Sequence, residues 1–173
     1  MLVFGHVGIT IGLVRLTRRD VDVRWVAGLS LVQDFIDKPL RYLVAPAFTH
    51  LNTRTVAHSL TVTLGGSLAI GLLLKRRVRH SWLLAAVLPL HLVFDRMWNE
   101  GNRVSLLWPW AGSDFPWIIE SGVLEHLLRN LSDIATLLGE PLGLGILVTL
   151  WIQNGLSNRN NRAQFFRDGI LRQ

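Results

Sequence analysis

The stretch Pro89-Leu90-His91-Leu92-Val93-Phe94-Asp95-Arg96-Met97-Trp98 places an imidazole and a carboxylate four residues apart at the end of an apolar run. On a helix, residues i and i+4 lie one above the other on the same face. His91 and Asp95 so placed either hold one divalent cation between them or simply hydrogen-bond to each other. A nitrogen–oxygen pair of this kind suits zinc or manganese. Asp34 and Asp37, three apart, share a helix face in the same way if a helix reaches them. The chain has no cysteine, which excludes a disulfide frame, a thiolate metal site and a cysteine nucleophile.

The elements that must position these groups are apolar. The chain has 173 residues, enough for one domain, with half of them hydrophobic and 17% charged. Mean hydropathy is +0.34. That is too apolar for an average soluble domain and mild for a membrane protein. Net charge is +6 and the isoelectric point about 11.2. Such a balance fits nucleic acid, anionic lipid or the positive-inside bias of a membrane protein, and the placement of the charges decides among them. The N-terminus has no leading basic region, so no cleavable signal peptide is expected.

Leu2 to Leu16 is apolar apart from His6, Thr10 and Arg15, and Thr17-Arg18-Arg19-Asp20 follows. Trp25 to Ile36 is a second apolar stretch, ending at Asp37-Lys38-Pro39, where the proline predicts a helix stop near Asp37. Leu40 to Phe48 is short and split by Pro46, and Thr49 to Arg54 reads as a loop. Ala57 to Leu74 is the better spanning candidate: it carries no charge after His58 and has many small residues for close packing. Lys75-Arg76-Arg77-Val78-Arg79-His80 then fills a tight turn between apolar segments, which favours the positive-inside reading over a nucleic-acid patch. Ser81 to Met97 returns and delivers His91 and Asp95 at its far end. Leu106 to Trp110 has the aromatic character of a membrane interface, and Ile118 to Leu138 is amphipathic at helical spacing. Leu142 to Ile152 is the last apolar segment, with Glu140-Pro141 at its start.

The expected fold is all-α: an integral membrane bundle of about four to five membrane-embedded helices plus an interfacial amphipathic helix. Residues 1–153 form the membrane domain, and 154–173 a basic, polar, weakly ordered C-terminal tail. With the basic loops and the C-terminus on the cytoplasmic side of the cell membrane, the segments alternate consistently. His6, Asp34, Asp37, His58, His91 and Asp95 then fall at one depth, toward the outer face. Each alone has an ordinary explanation: an interfacial histidine, a helix cap, a loop carboxylate. Their shared depth does not. Ionisable groups at membrane depth are costly, and a bound cation offsets the cost. Three histidines and three aspartates suit one or two ions of zinc, with manganese or iron as the other choices.

Four blocks also resemble the membrane-bound metal-dependent hydrolase family (YdjM-like). Phe4 to Gly12 resembles its N-terminal "AHxGITLG" block, and Asp34 to Leu40 resembles "PDxIDKPL", with Gln33 where the family has proline. Arg54 to Leu60 resembles "RxxAHS/TL", and His91 to Trp98 resembles "HLxLDxMW", followed by Leu106 to Trp110 as the "LLWP" block. Leu131 to Ile134 is a weaker counterpart of "ISEI", with Asp133 in place of glutamate. The resemblance implies a helical membrane protein with metal ligands at the same six residues. It also implies a distant likeness to zinc-dependent phospholipase C enzymes.

The expected chemistry is hydrolysis of a phosphoester or lipid-like ester at the membrane surface, by water activated on one or two divalent metals. Asp34, Asp37 and His58 are the candidate catalytic residues, the carboxylates as bridges or general base. Lys38, Arg54 and Arg96 are candidate clamps for an anionic group, against the plainer reading of interfacial cations. Ser59 has no separate base, so a supporting role is expected of it. The rival readings are a non-enzymatic protein with a structural metal site, or a metal- or proton-transport path. Clean inner halves of the apolar segments argue against transport. The bilayer and a phosphoester or lipid substrate are the expected partners, and nucleic acid is not.

Overall fold

The computed structural model describes residues 2–40, 43, 54–115 and 123–172, and among them every regular element is helical. A π-helical turn, Gly5–Ile9, opens into α1, Thr10–Thr17. Helix α2 spans Val23–Pro39 and starts where the Asp22 carboxylate accepts the Arg24 N–H at 2.9 Å. It runs through Pro39 rather than stopping near Asp37. A 3₁₀ turn, Val56–His58, leads into α3, Leu60–Leu74, whose cap is Ser59, its hydroxyl accepting the Val62 N–H at 3.1 Å. Helices α4, Ser81–Ala85, and α5, Val87–Phe94, are nearly continuous through Ala86. The short α6, Arg103–Leu106, is followed by α7, Val123–Ser132, α8, Ile134–Gln153, and α9, Arg159–Asp168. Most of the apolar segment expected over 40–48, most of the 49–54 loop and the start of the amphipathic segment at 118 lie outside the described residues.

The break between the amphipathic and last apolar segments falls at Asp133, not at Glu140-Pro141. Pro141 lies inside α8. Its fixed φ is helical, and the one hydrogen bond it removes leaves the rest of the 20-residue ladder intact. The outcome is one helix of about 30 Å, the thickness of a bilayer's hydrocarbon core. Among the described residues α8 is the one helix long and apolar enough to cross a membrane; Leu60–Leu74 and Ser81–Phe94 are apolar but shorter. The expected four to five embedded helices therefore rest on segments that, by length, fall short of a full crossing.

The apolar surface of these helices points outward. Of α3, only Thr63 and Gly71 are buried, while Leu64, Leu68, Leu72 and Leu73 are exposed. Leu137, Leu138, Leu142, Leu144, Val148 and Ile152 of α8 are exposed as well. A contiguous apolar face of this kind marks contact with an apolar medium or partner. Inside, Val14, Val21, Val26, Leu84, Val87, Leu156 and Leu171 make the apolar core.

Helix α8 meets the N-terminal turn backbone to backbone. A Cβ at Gly8 would stand 2.0 Å from the Gly143 carbonyl oxygen, and one at Gly143 would stand 2.0 Å from that of Phe4. Small residues at such a crossing let two helices approach closely. The residues after Asn154 do not form a loose tail. Helix α9 folds back, Arg15 donates to the Leu171 carbonyl at 2.9 Å, the Val23 N–H donates to Gly169 at 2.9 Å, and Leu171 is buried. The basic segments meet at this end of the molecule. Asp20 pairs with Arg79 and with His80, and the His80 hydrogen bond holds the Asp20 carboxyl below the ordinary carboxylate range.

Candidate metal centre

Asp34, His58, His91 and Asp95 each offer a ligand atom, and these four atoms lie within 4.8 Å of one another. All four residues are buried. They come from α2, the 3₁₀ turn, α5 and the residue that ends α5. The helical spacing of His91 and Asp95 brings His91 Nε2 to 3.9 Å from Asp95 Oδ2. His58 Nε2 stands 3.6 Å from Asp95 Oδ2 and 3.7 Å from Asp34 Oδ1.

Hydrogen bonds on the far side of each ring decide what faces the centre. His91 Nδ1 lies 2.7 Å from the Ser30 carbonyl oxygen, which only accepts, so Nδ1 carries the proton. His58 Nδ1 lies 2.7 Å from Asp37 Oδ2, a carboxylate, so it too carries the proton. In the neutral rings both Nε2 atoms are then lone pairs, and they face each other at 3.1 Å. Two acceptors at that distance repel unless a metal ion or a shared proton lies between them. Ligands about 2.0 Å from a tetrahedral zinc are spaced about 3.3 Å apart; the two imidazoles already stand at 3.1 Å, and the carboxylates, in a set that lies within 4.8 Å, would draw in on binding. The donor set, two imidazole nitrogens and two carboxylates, fits a divalent ion of the zinc, manganese or iron kind.

His6 and Asp37, the other two candidate ligands, sit against these four. His6 is fully buried, its Nε2 3.1 Å from Asp95 Oδ1, and its ring stacks on His91 with centroids 4.2 Å apart. Its Nδ1 is buried with no hydrogen-bond partner. The π-helical turn that carries it is a widened segment of the sort found at functional sites. Asp37 accepts from the Thr55 N–H at 2.7 Å, the Thr55 hydroxyl at 2.9 Å and the Ala57 N–H at 3.1 Å, besides His58. Its two oxygens are thereby fully engaged in fixing the 55–58 turn.

The candidate clamps separate. The Lys38 ammonium lies 2.8 Å from Asp34 Oδ2 and is partly exposed. Arg54 Nε donates to Asp95 Oδ2 at 2.8 Å. Arg96, in a left-handed turn with φ 50°, points to Asp133 at the head of α8, away from the four ligands. Ser59 caps α3 and is buried. With neutral imidazoles, Asp34, Asp37 and Asp95 outnumber Lys38 and Arg54 by one negative charge, which a dication would more than balance.

Three positioning residues carried little sequence signal. The Ser30 carbonyl is backbone, which no side-chain pattern reveals. Gln33 donates to the Ala57 carbonyl at 3.2 Å and the Thr63 hydroxyl at 2.7 Å, tying α2 to the turn that carries His58. Glu140 accepts the Phe4 and Gly5 N–H groups at 2.9 and 3.1 Å, just before His6. An acid inside an apolar segment was its only signal.

The model of a family described as the YdjM inner membrane protein matches residues 1–157. No curated protein and no solved structure matches the chain.

Proposed function

Because the chain belongs to the YdjM inner membrane protein family, we propose that it is a membrane-embedded hydrolase built around one divalent cation at Asp34, His58, His91 and Asp95. The observation that carries the reading is the pair of Nε2 lone pairs of His58 and His91, 3.1 Å apart, with both Nδ1 protons spent elsewhere. Bound there, zinc would bring the pKa of a coordinated water toward about 7 and polarise an ester oxygen. Asp37 and the Ser30 carbonyl hold the two imidazoles in the tautomer that ligates. His6 and Arg54 hold the two oxygens of Asp95. Asp34 is the most exposed of the four ligands, at 8%, so substrate approaches on its side. There it can also accept a proton as general base, and Lys38 stands beside it for an anionic group. A phosphoester or lipid-like ester at the membrane surface fits that pairing. The site lies opposite the basic end of the molecule, so the proposed topology puts it toward the outer face and α9 in the cytoplasm.

Elemental analysis of the detergent-purified protein tests the centre. One zinc, manganese or iron ion per chain is expected, lost in the double variant His91→Ala, Asp95→Ala. A folded wild type that neither carries nor takes up metal would overturn the reading. The second reading is a structural metal site, favoured by the presence of four protein ligands, the count of closed zinc sites. Metal retained without hydrolysis of any phosphoester or lipid ester, with unfolding on chelation, would select it.

A further inference from the structure

An apolar groove of about 370 Å³ lies along α2 and shares Asp34 with the metal-ligand cluster. Val3, Leu31, Phe35, Pro39 and Leu43 give it apolar walls, and Asp34 and Lys38 are the charged residues of its lining. Its volume lies in the range of small-molecule sites, about 300–1,000 Å³. Asp34 belongs to both places: Oδ1 faces His58 at 3.7 Å, and Oδ2 accepts from Lys38 at 2.8 Å. The Lys38 ammonium has three N–H donors, and Asp34 accepts one of them.

We infer that this groove holds the hydrocarbon chain of a long-chain anionic phospholipid, with the lipid's phosphate at Lys38 beside the cluster. The inference rests on the metal-centred hydrolase reading for the chemistry, and on the groove for the choice of substrate. Charge complementarity selects an anion: with a dication at the cluster, its two charges and those of Lys38 and Arg54 exceed the three carboxylates by one. Phe35 and Leu43 are well exposed, so the groove opens sideways, to the medium that the apolar faces of α3 and α8 also meet. The substrate therefore enters laterally from the bilayer. In the reaction the water oxygen bonds to phosphorus, one ester P–O bond breaks, and the proton from water ends on the departing alcohol.

Binding can be read without turnover, by native mass spectrometry of the full chain in detergent. The probes are phosphatidylglycerol, phosphatidylcholine with the same chains, and chainless glycerol 3-phosphate. Wild type should retain phosphatidylglycerol about tenfold better than phosphatidylcholine, and glycerol 3-phosphate should not displace it. Leu31→Trp fills the groove and should lose both lipids with metal content unchanged. Lys38→Gln should keep lipid binding and lose the preference for the anion. If Leu31→Trp does not fold, Phe35→Ser, at an exposed wall position, should weaken retention of both lipids in its place. Unchanged lipid binding in a folded groove variant, an anion preference that survives Lys38→Gln, or displacement by glycerol 3-phosphate would each overturn the inference. The two failures are separable. Lipid binding with this pattern in a metal-free protein sinks the hydrolase reading and leaves the groove, while a metal-loaded protein indifferent to these lipids sinks the groove alone.

Discussion

Asp37 and His58 share a 2.7 Å hydrogen bond that fixes which nitrogen of His58 turns toward Asp34, His91 and Asp95. The same carboxylate holds the Thr55 and Ala57 N–H groups, so ring and turn are set together. Carboxylates behind a ligating histidine typically contribute 10–100-fold to metal affinity. Asp37→Asn keeps the shape but weakens the acceptor and turns an amide toward donors. We expect zinc affinity, measured by competition with a chelator, to fall about 10–100-fold, while His91→Ala loses the metal outright. Equal behaviour of the two variants would place Asp37 among the ligands instead.

The contact of Gly8 with Gly143 leaves no room for a methyl group. Gly143→Ala must push α8 off the N-terminal turn, at a cost of about 1–3 kcal/mol. For a chain of this length each kcal/mol lowers the unfolding midpoint by about 2–4 °C. Gly145, two residues on, has open space around its missing Cβ. Gly145→Ala should leave the midpoint in detergent unchanged or raise it slightly. Similar melting of the two variants would argue against the close crossing.

Glu140 accepts two N–H groups at the head of the N-terminal turn. Glutamine offers only one acceptor oxygen there, so one N–H is left facing an NH₂ group. Glu140→Gln should cost about 1–3 kcal/mol and speed hydrogen exchange at Phe4 and Gly5. Unaltered exchange at both amides would show that the carboxylate does not hold the turn that presents His6.

Leu171 is buried near the C-terminus, beside the carbonyl that receives Arg15. Leu171→Ala should destabilise the protein by about 2–5 kcal/mol. Limited proteolysis at Arg159, Arg162 and Arg167 should quicken in step. A tail that contributes nothing would show the same midpoint and the same cleavage rate.

Much of the site was legible before any fold. The i, i+4 spacing of His91 and Asp95 holds at the end of α5, and of the six acids and histidines expected at one depth, Asp34, His58, His91 and Asp95 bring ligand atoms within 4.8 Å of one another. Helical periodicity and the apolar runs located most elements, because each depends on a short stretch of neighbours. Boundaries were less legible. Glu140-Pro141 reads as the start of a segment, yet the helix passes through it, as apolar membrane-type helices tolerate proline where local adjustment re-satisfies the freed carbonyl. The polar composition after Asn154 reads as loose, yet Leu156 and Leu171 reach the core from it.

The sequence by itself determined the kinds of group available: imidazoles and carboxylates without thiolates, on helices too apolar for water. Tertiary structure alone decided how those groups divide. Asp34, His58, His91 and Asp95 converge, while Asp37 turns to a loop, His6 to Asp95, and Arg96 to Asp133. The reason is that ligation depends on which nitrogen or oxygen of a side chain is left over. That is settled by hydrogen bonds from residues distant in the chain, the Ser30 carbonyl to His91 being the clearest, and no local pattern encodes them.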